Sequence, residues 1–238
     1  MRNAWREVNF FLSRFLSPAV RVILIANVIV FLVFTLVTLF STRAMVGFLL
    51  LAQTPSLAVG HAFLWQFVTY MFLHADVWHL LFNMVVLWFF APRLEYRWGT
   101  AAFVRFYLVV GVGAGLFHTA AAYLSANPDS PMLGASGAMY GIMLAYALYW
   151  PDDVVLLYFA FPIKIKYLMI FIGVFTFFAS ISGEVAGAGG SHISHVTHLG
   201  GLIVAFLYLK AGTWFGQVGR GRKPARIRSF PGSHPDFH

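Results

Sequence analysis

The sequence predicts an all-α, polytopic membrane protein built as a bundle of six transmembrane helices. Of its 238 residues, 60% are hydrophobic and only 10% charged, with a mean hydropathy of +0.78. Soluble domains carry about 25% charged residues. A water-soluble fold of this size could not hide so much apolar side chain, so lipid is the expected solvent. The second observation is a series of apolar segments of spanning or near-spanning length. The third is the placement of basic residues in alternate connections between them.

The first segment, Val20–Phe40, is long enough to cross a bilayer, which needs about 20 residues. It follows arginines but no small-residue cleavage site, and so reads as a retained helix rather than a removed signal peptide. The second is Trp78–Phe90, extended upstream by the partly polar His74–Val77. The third is Ala101–Leu124, the fourth Ser136–Trp150, the fifth Tyr167–Ser182 and the sixth Val196–Lys210. Segments two, four and six are short and begin with polar residues, which suits helices buried among neighbours better than helices facing lipid. No Asp or Glu falls within these six spans, Asp76 lying only in the upstream extension of the second.

With six spans, fifteen of the sixteen Lys and Arg residues fall on one side, leaving only Arg43 on the other. The positive-inside rule then places both termini in the cytoplasm. Residues 1–19 read as a cytoplasmic N-terminal segment, 20–211 as the six-helix membrane domain and 212–238 as a disordered basic cytoplasmic tail. Three loops, about 41–73, 125–135 and 183–195, face outward. The first carries Phe63, Trp65 and Phe67 and is expected to lie in the membrane interface, where aromatic rings prefer to sit.

The absence of cysteine excludes disulfides, thiolate metal sites and thiol nucleophiles. The formal charge of +8 is spread over the two ends and short loops rather than clustered on one face, so no nucleic-acid partner is expected.

Several polar residues fall at similar depth on the outer side. His79 and Asn83 stand four residues apart on one face of the second segment. The fourth begins Gly134-Ala135-Ser136-Gly137, and the sixth carries His195 and His198 near its start. Taken singly, a membrane serine bonds its own backbone and a histidine or asparagine joins helices. Gly137 with Gly141, and Gly201 with Ala205, have the spacing of packing seams. These readings reinforce one another, because close approach of segments four and six is what would bring the Ser136 hydroxyl to the His198 ring. Serine is a poor nucleophile until a base takes its proton. Tyr140, one turn beyond Ser136, could pack on that imidazole. A Ser–His dyad is the expected arrangement, with the Ser136 backbone N–H, His79 and Asn83 as donors to an oxyanion.

These stretches resemble the rhomboid intramembrane serine proteases. His74, His79 and Asn83 in HADVWHLLFNM resemble the family's second-helix motif, and Glu95, Arg97 and Gly99 in LEYRWGT its structural loop motif. Gly134, Ser136 and Gly137 in GASG resemble the nucleophile motif, with Tyr140 at the family's aromatic position. His198 in THLGGLIVA stands where the family keeps its base, followed by Gly201. The resemblance covers about residues 20–211. It implies an endopeptidase that needs no cofactor or metal and cleaves single-span membrane proteins near the outer face of the lipid bilayer. A compact form of this kind suggests a bacterial inner membrane. Three positions depart from the pattern: Gln66 stands where many members have Arg, Thr197 where Ala is usual, and Ala205 where Gly is usual.

Three rival readings are weaker. A catalytically inactive relative that binds membrane clients would not need both Ser136 and His198. A zinc protein could use His192, His195 and His198 with Glu184, but no HExxH signature is present. A channel or transporter would be expected to show charges within its spans or paired broken helices.

Overall fold

A computed structural model describes residues 16–40, 47, 50–157, 160–182 and 192–214. Arg43, residues 183–191 including Glu184, most of the N-terminal segment and the tail beyond 214 lie outside the described residues.

The chain is mostly helical. Helix α1 (Pro18–Phe40) is followed by two short helices, α2 (Pro55–Gly60) and α3 (Gln66–Thr69), and by a 3-10 turn at Tyr70–Phe72. Then come α4 (Val77–Trp98), α5 (Thr100–Leu124) and α6 (Ser136–Tyr149). A hairpin of β1 (Val154–Leu157) and β2 (Phe161–Lys164) leads to α7 (Ile165–Ser182), and α8 (His192–Trp214) completes the bundle.

Three helices, α1, α4 and α5, are long and apolar enough to cross a membrane. Shorter apolar stretches run over Ile165–Ile181 and His195–Ala211. Helix α1 buries only Ala19, Val20, Ile23 and Asn27, while Leu32, Leu36, Leu39 and Phe40 point outward. So broad an aliphatic face is stable only against lipid, as befits a membrane protein.

The second segment differs from its sequence reading at both ends. Residues 74–76 are not helical; α4 begins at Val77, and the Asp76 carboxylate caps it by accepting the His79 N–H at 2.9 Å. At the other end α4 runs on through Pro92 to Trp98 and so encloses Glu95. Glu95 is buried because α1 starts on top of it. Its carboxylate accepts the backbone N–H groups of Ala19 at 2.9 Å and Val20 at 3.1 Å, together with the hydroxyls of Ser17 and Thr100. These are the donors that a helix start leaves unpaired, and an anion there also meets the positive end of the helix dipole. One acidic side chain therefore joins the starts of α1 and α5 to the end of α4.

Helix α6 is the centre of the packing, burying Gly137, Ala138, Met139, Gly141, Ile142, Met143, Ala145, Tyr146 and Ala147. Helices α4, α5, α7 and α8 surround it. Small residues set the spacing: an added Cβ on Gly113 of α5 would lie 2.6 Å from Val204 of α8. One on Gly137 of α6 would lie 2.5 Å from Ala114 of α5.

The connections before α2 and before α6 are tied together. Gln53 and Met132 pair in both directions, N–H to carbonyl at 2.9 and 2.8 Å, joining the segment before α2 to the loop before α6. Gln66, which stands where many members of the family have Arg, is fully buried and spans the segment before α3. Its amide oxygen accepts the Thr54 N–H at 3.1 Å, and its nitrogen donates to the Leu50 carbonyl at 3.2 Å.

Candidate active site

The chain enters α6 through Gly134, whose φ of +109° lies in a region that favours glycine. A Cβ at this position would sit 2.5 Å from His79 Nε2, so the glycine also makes room for the imidazole. Tyr70 holds the turn in place. Its carbonyl accepts the Gly134 N–H at 2.9 Å, while its hydroxyl donates to the Gly111 carbonyl at 2.7 Å.

Ser136 is the first residue of α6, where the backbone N–H has no intrahelical acceptor by position. Its Oγ lies 2.9 Å from His198 Nε2, across 62 residues of sequence. The approach depends on the seam between α6 and α8, where Gly201 backs directly onto Gly137. A Cβ on Gly201 would fall 2.2 Å from the Gly137 carbonyl oxygen. The two departures at this seam leave it closed. Ala205 fits with its methyl 3.1 Å from where a Gly141 Cβ would lie, and Thr197 is buried beside the same helix pair.

The plane of the His198 ring is fixed by Tyr140, stacked on it at 4.3 Å between centroids and 8° between planes. The His195 ring stands edge-on to it at 6.5 Å, itself against Phe175 of α7 at 6.1 Å. With the Ser136 proton directed at Nε2, the imidazole carries its own proton on Nδ1, the neutral form a base requires.

Around the Gly134 turn, His74 is buried in the loop before α4 with its ring 5.0 Å from His79, edge to face. Burial, reinforced by the neighbouring His79 imidazole, lowers the His74 pKa from 6.5 to about 4. Asn83 is also buried and spends one amide N–H on the His79 carbonyl at 2.7 Å. The structure thus brings Ser136, His198 and Tyr140 into contact and sets His79, His74 and Gly134 together beside them. Asn83 sits one turn along α4 from His79. No group of three His, Cys, Asp or Glu side chains among the described residues could hold a metal ion.

Two supports of this site lie outside the motifs visible in the sequence. Tyr70 lies in an aromatic-rich segment that signalled only an interface. His118 sits in the middle of an apolar span, a costly place for an imidazole and therefore a detectable signal. It is buried between the Ser130 carbonyl, 3.1 Å from Nε2, and the Thr197 hydroxyl, 3.5 Å from Nδ1.

Fold and site together define a helical membrane protein that brings a serine and an imidazole into contact at the start of a short central helix. Residues 61–214 match the Rhomboid domain, and the chain belongs to the rhomboid family. It is 32% identical over 141 residues to the mitochondrial Rhomboid protein 1 of Saccharomyces cerevisiae, covering 58% of this chain and 38% of that protein. It is 36% identical over 91 residues to the putative rhomboid protease YdcA of Bacillus subtilis, covering 38% of this chain and 44% of that protein. The mitochondrial RHOMBOID-like protein 12 of Arabidopsis thaliana is 30% identical over 153 residues, covering 58% and 43%. The chain spans less than half the length of these relatives.

Proposed function

We propose that this protein is an intramembrane serine endopeptidase that cleaves transmembrane segments of single-span proteins near the outer face of the bilayer. The observation that carries the reading is the 2.9 Å approach of Ser136 Oγ to His198 Nε2. Attack of Oγ on a scissile carbonyl carbon passes the hydroxyl proton to Nε2. The tetrahedral oxyanion is met by the Ser136 N–H and by donors from His79 and Asn83. Collapse breaks the C–N bond, and the imidazolium returns its proton to the departing amine. Water then repeats the sequence on the acyl-enzyme.

The intramembrane setting is supported by the length of α6. Its 14 residues rise about 21 Å, less than the ~30 Å hydrocarbon core, so a site at its start lies within membrane depth. In this reading α1 and α4–α8 are six spans, both termini are cytoplasmic, and a bacterial inner membrane holds the protein. A catalytically inactive, client-binding relative would have no use for the stacked and bonded His198.

The test is cleavage of a single-span substrate by protein reconstituted in vesicles. Ser136→Ala and His198→Ala should each abolish turnover while the fold persists. His79→Ala and Asn83→Ala should lower kcat by up to about 10²–10³-fold, the cost of a lost oxyanion donor. Residual turnover by a folded Ser136→Ala protein would overturn the assignment.

A further inference from the structure

At the end of the bundle opposite Ser136, the β1–β2 hairpin projects with an unpartnered face. The register sets Val154 opposite Lys164 and Leu156 opposite Pro162, so these four share one face. All four are exposed, Val154 and Leu156 each at 58%, and Phe161 near the tip is 67% exposed. On the other face Val155 turns toward the core. An isolated two-stranded hairpin is marginal in water, and one with an apolar open face needs a cover.

The base of the hairpin is well fixed. The Ile165 N–H donates to the Asp153 carbonyl at 2.9 Å, and the Arg93 guanidinium donates to the Asp153 carboxylate. Arg93 also lies over Trp150 at 4.1 Å and Arg97 over Tyr149 at 4.5 Å. Lys164 and Lys166 both reach the exposed Asp152 carboxylate, at 3.0 and 2.8 Å. The rim thus sets four cations, Arg93, Arg97, Lys164 and Lys166, against two carboxylates, Asp152 and Asp153. Among the described residues the other acid at this end, Glu95, is buried against α1.

We propose that this hairpin is a lipid-docking element whose open apolar face enters the membrane interface on that side while its basic rim engages anionic phospholipid headgroups. Two features argue for lipid as the occupant. The hairpin joins the end of α6 to the start of α7, which places it at the boundary of the bilayer. The rim's net positive charge complements an anionic leaflet, where each lysine near the surface adds about fivefold to membrane partition, the equivalent of about 1 kcal/mol. Asp152 opposes this attraction, so its removal should deepen docking. That sign separates lipid docking from a purely structural role, in which losing the ion pairs would loosen the hairpin. The inference rests on the membrane setting of the bundle and not on its chemistry.

The chain has no cysteine, so a nitroxide on Leu156→Cys, or on Val154→Cys as a second site on the same face, labels one place. The labelled full chain, made inactive by Ser136→Ala, is reconstituted in phosphatidylcholine vesicles with or without phosphatidylglycerol. Collision with oxygen reports lipid, and collision with a water-soluble nickel chelate reports solvent. The label should become lipid-exposed when phosphatidylglycerol is present. Lys164→Gln and Lys166→Gln should each shift the equilibrium toward water about fivefold, and Asp152→Asn should shift it toward lipid. A water-exposed label in both membranes, an identical signal with and without phosphatidylglycerol, or loosening by Asp152→Asn would overturn the proposal. So would spin–spin broadening that grows with protein density, which would make a second copy the occupant. None of these results bears on Ser136, so a failure here is distinct from a failure of the protease reading.

Discussion

Replacing Gly201 by alanine tests how the α6–α8 seam sets the candidate site. The new Cβ would lie 2.2 Å from the Gly137 carbonyl oxygen and 2.9 Å from its carbon. Both obstacles are backbone, so no rotamer change relieves them. Restoring an ordinary contact needs about 1 Å of separation between the helices, a strain that costs about 1–3 kcal/mol in a packed core. The same movement carries Ser136 Oγ and His198 Nε2 from 2.9 Å to nearly 4 Å, beyond hydrogen-bond reach. A displacement of that size costs on the order of 10²-fold in turnover. Cleavage of a reconstituted single-span substrate, measured beside resistance to denaturing detergent, reads both effects. Gly173→Ala in α7 is the control, since nothing lies within 4 Å of its added methyl, and it should leave activity unchanged. A Gly201→Ala protein with full stability and full turnover would show that the seam does not set the Ser136–His198 approach.

Three further outcomes are expected. Gln66→Ala should leave the buried Thr54 N–H without its side-chain acceptor and cost about 1–3 kcal/mol, seen as faster proteolytic nicking between residues 50 and 65. Unchanged nicking would mean that the outer loop is held otherwise. Glu95→Ala should release the start of α1 and destabilise the bundle by about 2 kcal/mol or more in detergent unfolding, with Glu95→Gln less severe. His74 takes up a proton more readily in the unfolded chain, at 6.5, than in the folded one, at about 4. Its contribution is therefore complete above pH 6.5 and lost as pH falls toward 4, by about 3 kcal/mol at most. His74→Phe should flatten the unfolding curve over that interval, and an unchanged slope would assign the acid sensitivity elsewhere.

The sequence made the helix cores and the juxtaposition of Ser136 with His198 legible. Polar side chains in apolar segments are costly, and three such segments carried them at one depth. Small residues at four-residue spacing marked where α6 and α8 could approach. Helix ends were harder to read, because hydrophobicity and helicity stop at different places. The apolar run fades near Phe90, yet α4 continues through Pro92 because the start of α1 supplies donors for a buried Glu95. The β hairpin falls in the connection between the fourth and fifth segments: Val154–Leu157 and Phe161–Lys164 are too short to span, and in an apolar chain their β-branched residues stand out little. Gln66 and Thr197 read as defects only against the family pattern. Their partners, Leu50, Thr54 and His118, come from elsewhere in the chain and became visible only in three dimensions.

In the proposed mechanism His198 activates Ser136 for covalent attack. Mass spectrometry of the full chain after treatment with a fluorophosphonate in a bilayer tests it most directly. A single adduct on Ser136 is expected, lost in a folded His198→Ala protein. No adduct on the folded wild type, or equal labelling of Ser136 without His198, would contradict it.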